Sequence, residues 1–247
     1  MQAPVVESGV QLFSRLNKSQ FCLEDVNPKL FQGGSPRPND IVEVTGDFST
    51  DLLVDFLVRC ILPKELNQYW KESGVVFVNT TFHISVLKIT NTIDAHLKNL
   101  KIKNRKSLIE KALTFVTFLN CYDEEQFETT LRNLEKMIQD KDNCSLLIID
   151  DITSQFWVAK QKNSILSYDQ FSRNIFSLLQ SVVKNLNLVS IFCRHQVGSL
   201  KKPVDLQVDY KIIGEELDSK KQFVVIDYGR KITTRVTFNL DSFITFL

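Results

Sequence analysis

Residues 40–60 read DIVEVTGDFSTDLLVDFLVRC. A β-rich run, Ile41 to Thr45, ends in Gly46, and an apolar-periodic segment beginning at Leu52 follows after a short gap. Strand, glycine turn and helix are the parts of a phosphate-binding loop. In such a loop backbone N–H groups cradle the phosphates, a lysine neutralises them and a Ser or Thr hydroxyl holds magnesium, in the pattern G-x-x-x-x-G-K-[ST]. Set on that pattern, Gly46 takes the first position and Asp51, Leu52 and Leu53 take the last three. Leucine at 52 brings no cation, and leucine at 53 brings no oxygen. Asp47, Asp51 and Asp55 add negative charge around the place for a polyphosphate. Each carboxylate about 4 Å from a phosphate charge costs about 4 kcal/mol at an effective dielectric of about 20.

Working outward, 247 residues suffice for one large α/β domain that buries a full sheet between helices. Apolar residues make up 43% and charged residues 24%, which suits a globular chain and excludes a disordered one. The start, MQAPVVESG, has no basic or apolar leader pattern, and no apolar run reaches membrane-spanning length. A location in the cytoplasm or nucleus is expected, with no membrane partner. Five cysteines, Cys22, Cys60, Cys121, Cys144 and Cys193, form no C-x-x-C pair, and three histidines stand far apart, so buried free thiols and no metal site are expected. A net charge of +1 excludes a globally basic nucleic-acid binder but leaves room for a local patch.

Periodicity divides the chain into an N-terminal segment with a Pro/Gly-rich link, residues 1–39, and a core domain, residues 40–247. Strands are expected at Ile41–Thr45, Val75–Asn79, Thr114–Leu119, Ser145–Asp150 and Leu188–Cys193, as short apolar runs covered on both faces. Asp123 and Gln126 resemble a capping box, ahead of Phe127, Leu131, Leu134 and Ile138 on one helix face. A second helix is expected from about Asp169 to Asn185, with Phe171, Ile175, Leu178, Leu179, Val182 and Leu186 as its buried stripe. Alternation of this kind predicts an α/β fold with a mainly parallel central sheet and helices on both faces. Four short strand-like runs from Tyr210 to Phe246, with no helix-length gap, predict a C-terminal antiparallel extension.

The run SLLIIDD, Ser145 to Asp151, has the form of a Walker B strand, whose carboxylate reaches magnesium in P-loop enzymes. Any buried parallel strand can end in aspartate, so two readings stand open. In one, Asp150 satisfies local donors and Asp151 caps the next turn. In the other, Asp150 helps form a contact with a neighbouring subunit.

Taken together, ESGVQLFSRL from Glu7, DIVEVTG, RCILPK from Arg59 to Lys64, VVFVNTTFHISVLKI from Val75 to Ile89 and LLIIDD resemble the RecA-like eukaryotic recombinase paralogues. Among these the chain is similar to those without an N-terminal helical domain. RCILPK is the most specific of the motifs, and the likeness runs over roughly residues 7 to 197. It implies a RecA-like P-loop core. It also implies where the ATPase is lost: the family's Asp-Thr-Glu, whose glutamate orients water, stands here as Asn79, Thr80 and Thr81. Gln196 in RHQV keeps the position of a glutamine that senses the γ-phosphate. The resemblance thus implies a pseudo-ATPase rather than an enzyme, with no cofactor of its own, ATP and magnesium being held by partner subunits.

The resemblance further implies a nuclear protein of homologous-recombination DNA repair. It would pair with another recombinase paralogue, assist assembly, remodelling or stabilisation of the recombinase filament, and meet single-stranded DNA through the complex. Two alternatives remain, an atypical DNA-dependent ATPase and a RecA-like scaffold outside DNA repair. For DNA contact the candidates are Lys101, Lys103 and Arg105 in KNLKIKNRK, which carries five positive charges and no acid, and Lys201 and Lys202 in VGSLKKPVDLQ, where the family places DNA-facing loops. The rival reading of the first run is a solvated helix end. Phe13, in VQLFSRL, is the candidate linker anchor on an adjacent subunit, although Leu16 stands where the family's Phe-x-x-Ala form has alanine.

Overall fold

Four largely apolar strands, in which Glu43 and Ser190 are buried polar exceptions, stand towards the middle of the parallel part of the sheet, with both faces covered. The computed structural model describes residues 21–32, 34–139, 143–194, 205–241 and 243–246. In chain order its elements are β1 (Ile41–Gly46), α1 (Ser49–Ile61), β2 (Gly74–Asn79), α2 (Val86–Asn99), α3 (Arg105–Leu113), β3 (Val116–Asn120), α4 (Glu124–Gln139), β4 (Cys144–Asp150), α5 (Phe156–Lys162), α6 (Tyr168–Val183) and β5 (Val189–Cys193). Strands β6 (Tyr210–Leu217), β7 (Lys220–Asp227), β8 (Ile232–Leu240) and β9 (Ile244–Phe246) follow. The strand order is β3-β2-β4-β5-β1-β6-β7-β8-β9. Pairing is parallel from β3 to β6 and antiparallel from β6 to β9. This is the RecA-like α/β architecture with the expected antiparallel extension.

The sheet separates two apolar cores. On one face Val42, Val44, Ile148 and Ile191 pack under α1 and α2, and Phe223, Val225 and Phe238 of the extension continue the same core. On the other face Val76, Val78, Leu147 and Ile149 pack under α4, α5 and α6. Alternate residues of each strand thus serve different cores, which is why these strands read as continuous apolar runs.

Most expected boundaries hold within two residues. β3 starts at Val116 rather than Thr114, because Thr114 and Phe115 close the last turn of α3 with N–H bonds to Lys111 O and Ala112 O. On α6, Phe176 and Val183 are fully buried, whereas Leu178 and Val182 are only partly so. At the start of α4 the Asp123 carboxylate accepts from Gln126 N–H at 2.8 Å, but the Gln126 side chain reaches back to Tyr122 N–H at 3.0 Å, one residue before the expected cap. Part of the N-terminal segment belongs to the same packing: Leu23, Val26, Leu30 and Phe31 are buried, and Phe31 stacks on Phe56 of α1 at 6.2 Å. Phe13, Gln196, Lys201 and Lys202 lie outside the described residues. No described helix is long and apolar enough to cross a membrane.

Candidate functional site

Parallel pairing brings the carboxyl ends of β1, β2, β3, β4 and β5 to one edge of the sheet, where ligands bind in open α/β folds. Only Asp47 and Phe48 separate β1 from α1, so Ser49, Thr50 and Asp51, which a phosphate-binding loop would use as loop, are already helix. The first amide past the strand is committed: Asp47 N–H donates to Gly214 O on β6 at 2.9 Å. Gly46 has φ 81°, and a Cβ there would be driven into Gly214 O, just as one on Gly214 would strike Asp47 O. The crossing of β1 and β6 is therefore a sufficient reason for Gly46, independent of any phosphate.

Phe48 turns the chain with φ 64° and seats its ring against Phe238, edge-on at 5.4 Å. Lys221 Nζ lies 5.3 Å from the same ring. The first turn of α1 holds Asp51, whose carboxylate supplies the negative charge favoured at a helix N-terminus and is paired with Lys88 at 2.9 Å. Leu52 and Leu53 are 0% exposed and belong to the core. The three acids expected to crowd a polyphosphate are separated by the fold. Asp47 is exposed, Asp51 is paired with Lys88, and Asp55 is buried a turn along the helix, bonded to Arg59 Nε at 2.8 Å. This corrects the sequence expectation for Asp55: helical spacing carries it inward, to face Arg59 and His96. At positions 52 and 53 the start of α1 thus turns two apolar side chains into the core and presents neither an ammonium nor a hydroxyl to the β1–α1 turn.

The Walker B-like end of β4 is intact and fully used by the chain itself. Asp150 and Asp151 are both 0% exposed, and the peptide between them is cis. Asp150 Oδ2 accepts from Thr81 Oγ1 at 2.8 Å and Oδ1 accepts from the Cys193 thiol at 3.1 Å. Asp151 Oδ1 accepts from Thr153 N–H at 2.5 Å and from Thr153 Oγ1 at 2.9 Å, capping the turn that leads to α5. Thr80 Oγ1 accepts from Asp151 N–H at 2.7 Å and lies within 2.9 Å of the carbonyl oxygens of both aspartates. Burial, followed by the charges of Asp151 and Asp150, holds the Cys193 thiol well above its usual pKa. Thr80 and Thr81, just past the end of β2, thus work as a clasp on the end of β4. Both carboxylates face the chain's own donors rather than the surface.

One reading of the loop after that clasp escaped the sequence. Phe82 and Tyr122, 40 positions apart, follow neighbouring parallel strands and stack at 4.9 Å with an interplanar angle of 16°, while remaining 43% and 67% exposed. Val86, Leu87 and Trp157 are also exposed near these strand ends, at 50%, 68% and 59%. The pairing of β2 with β3, rather than any local pattern, brings the two rings together.

The basic run differs from its expectation in one respect. Asp94 of α2 reaches it, pairing with Lys98 at 2.6 Å and with Arg105 at 2.7 Å. Arg105 also donates to Ile102 O at 3.3 Å, so it pins α3 to α2. Lys101, Lys103 and Lys106 stay exposed and have no ion pair among the described residues. Lys111 pairs with Glu72, and Phe115 O accepts from Val75 N–H, so α3 ends beside the start of β2, at the opposite edge of the sheet from Asp150. A cleft of about 800 Å³ between α1, α2 and the C-terminal strands is lined by Asp51, Asp55, Asp94, Lys88 and Phe243. Among the described residues no three His, Cys, Asp or Glu side chains gather as a metal site.

No protein-family model matches the chain. It is similar to DNA repair protein XRCC2 of Mus musculus, 26% identical over 189 residues, which cover 74% of this chain and 66% of that protein. It is also similar to the DNA repair protein XRCC2 homolog of Arabidopsis thaliana, 23% identical over 218 residues, covering 73% of this chain and 58% of that protein. The chain thus spans just under two thirds of the mouse relative and less of the Arabidopsis one.

Proposed function

We propose, on the premise that this chain is an XRCC2-like RecA paralogue, that it acts in DNA repair by binding rather than by ATP turnover. That both relatives are DNA repair proteins supports the repair role. The observation that carries the non-catalytic reading is the two-residue β1–α1 turn, with Leu52 and Leu53 in the core where a lysine and a hydroxyl would be needed. A RecA-like frame without that cradle offers surfaces, not hydrolysis. In this reading the chain works in the nucleus, pairs with another recombinase paralogue and helps assemble, remodel or stabilise the recombinase filament in homologous recombination. Partner subunits hold ATP and magnesium, and single-stranded DNA is met through the complex.

Titration of the isolated chain with ATP and magnesium tests the first half. No micromolar binding and no magnesium-dependent phosphate release are expected, and either one overturns the pseudo-ATPase reading. Purification of the endogenous chain tests the second half. Recovery with a recombinase or one of its paralogues is expected, and recovery with neither would leave a scaffold outside repair.

A further inference from the structure

Phe82 adopts φ 61°, a left-handed conformation that a bulky L-residue rarely takes. Such a conformation persists where the surroundings over-determine it, and it is a reason to ask what the side chain is displayed for. Here the Asn79 carboxamide oxygen accepts from Phe82 N–H at 3.0 Å, and Thr81, bonded to buried Asp150, accepts from His83 N–H at 3.3 Å. The clasp holds the Phe82 ring outward, stacked on Tyr122, with both rings open to solvent.

Acids border this aromatic pair. Asp123, Glu124 and Glu125 follow Tyr122 directly, and Glu128, paired with Arg132 at 3.3 Å, lies a turn further along α4. Glu125 is exposed and has no ion pair among the described residues, and the Lys162 ammonium lies at 3.9 Å from Glu124. An aromatic face and adjacent carboxylates attract the same thing, a cation: the ring quadrupole draws it over the face and the carboxylates draw it from solution. Nucleic acid is disfavoured by the same charges, since a base stacked on these rings would bring its phosphates to the acids. Exposed Val86 and Leu87, at the start of α2, offer apolar contact for an aliphatic neighbour.

We propose that the Phe82–Tyr122 pair is a docking site for a partner-protein segment that presents an arginine or lysine beside an aliphatic side chain. The cation lies over the aromatic pair and faces the acids of α4. The inference deepens the pairing reading and rests on it for the source of that segment. Asp150 acts here as a positioning residue, through Thr81, rather than as a contact.

The test places a p-benzoylphenylalanine photo-crosslinker at Tyr122 in the full chain, expressed in cells, and sequences the peptides joined to it. Crosslinks to a partner segment carrying Arg or Lys are expected. Alongside, Phe82→Ala and the double variant Glu124→Lys with Glu125→Lys should weaken retention of the co-purifying partner about tenfold or more, and Tyr122→Phe should retain it. Unchanged urea midpoints in these variants separate lost docking from lost folding. Crosslinks to nucleic acid, to a second copy of this chain or to a segment without a basic residue overturn the site. So does full partner retention by both variants, and in each of these cases the pairing reading stands. A wild-type chain that recovers no protein partner overturns pairing and the site with it.

Discussion

The Thr81 hydroxyl donates to Asp150 Oδ2 at 2.8 Å, tying the end of β2 to the end of β4. In a P-loop enzyme the carboxylate at the end of the Walker B strand would serve magnesium. Here its other oxygen is taken by the Cys193 thiol, so one buried side chain joins three neighbouring strands.

Asp150→Ala should therefore act first on stability. It leaves the Thr81 hydroxyl and the Cys193 thiol without their acceptor, and a buried polar group left unmatched costs about 1–3 kcal/mol. Urea unfolding measures the loss. In a double-mutant cycle with Thr81→Val the two changes should couple by about 0.5–3 kcal/mol, because each removes the same bond. Strict additivity would show that the clasp contributes nothing.

Restoring the phosphate-binding motif should fail in an informative way. Leu52→Lys with Leu53→Thr puts a charge and a hydroxyl into sites that are 0% exposed. The cost should exceed about 4 kcal/mol, much of the stability of an ordinary domain, and the melting temperature should collapse without any gain of ATP affinity. A folded double variant that binds ATP would show that the turn can still open into a phosphate cradle.

What could be read beforehand divides along the range of the interactions. β1, β4 and β5 were legible because burial on both faces leaves a local signature, short runs dominated by Val, Ile, Leu and Phe with at most isolated polar residues such as Glu43 and Ser190. The burial of Leu52 and Leu53 was legible as well, since they belong to an apolar-periodic helical run. The reason for Gly46 was not, because the atom that excludes a side chain belongs to Gly214, 168 positions away in the chain. Asp94 likewise reaches Arg105 only once α2 and α3 pack, and Phe82 meets Tyr122 only through the β2–β3 register. At the start of α4 Asp123 caps as expected, while the Gln126 side chain takes the N–H of Tyr122 rather than that of Asp123, a choice that local pattern does not decide.

The basic run should split into two kinds of residue. Arg105 has Asp94 as a partner, so Arg105→Glu sets two acids together and should lower stability, whereas Lys101 and Lys103 are exposed. If the run contacts single-stranded DNA within a complex, Lys101→Glu with Lys103→Glu should weaken binding. The slope of log affinity against log salt should become shallower by about 1.4, or about 0.7 for each lost phosphate contact. Fluorescence anisotropy across a salt series reads both, and an unchanged slope would assign these lysines to a solvated helix end.

The last prediction concerns pH. His96 is only 6% exposed, with Trp70 edge-on at 6.0 Å and Phe243 stacked at 4.1 Å. Burial, and after it the Arg59 charge, bring its pKa down from 6.5 to about 3. Between those values the unfolded chain binds a proton that the folded chain refuses, so this site's stability is full above the unfolded pKa and falls as pH drops through it. From about pH 7.5 to about pH 5.5 the loss should be about 1.4 kcal/mol. Neighbouring Asp55 works with the opposite sign: burial raises its carboxyl pKa against the opposing pull of Arg59, so the folded chain gains from protonation as pH falls. A His96→Phe variant leaves Asp55 in place and removes the imidazole. Its urea-derived stability should change less over that interval, by the amount attributed to His96, and equal slopes in the two proteins would mean that the folded imidazole takes up its proton as readily as the unfolded one.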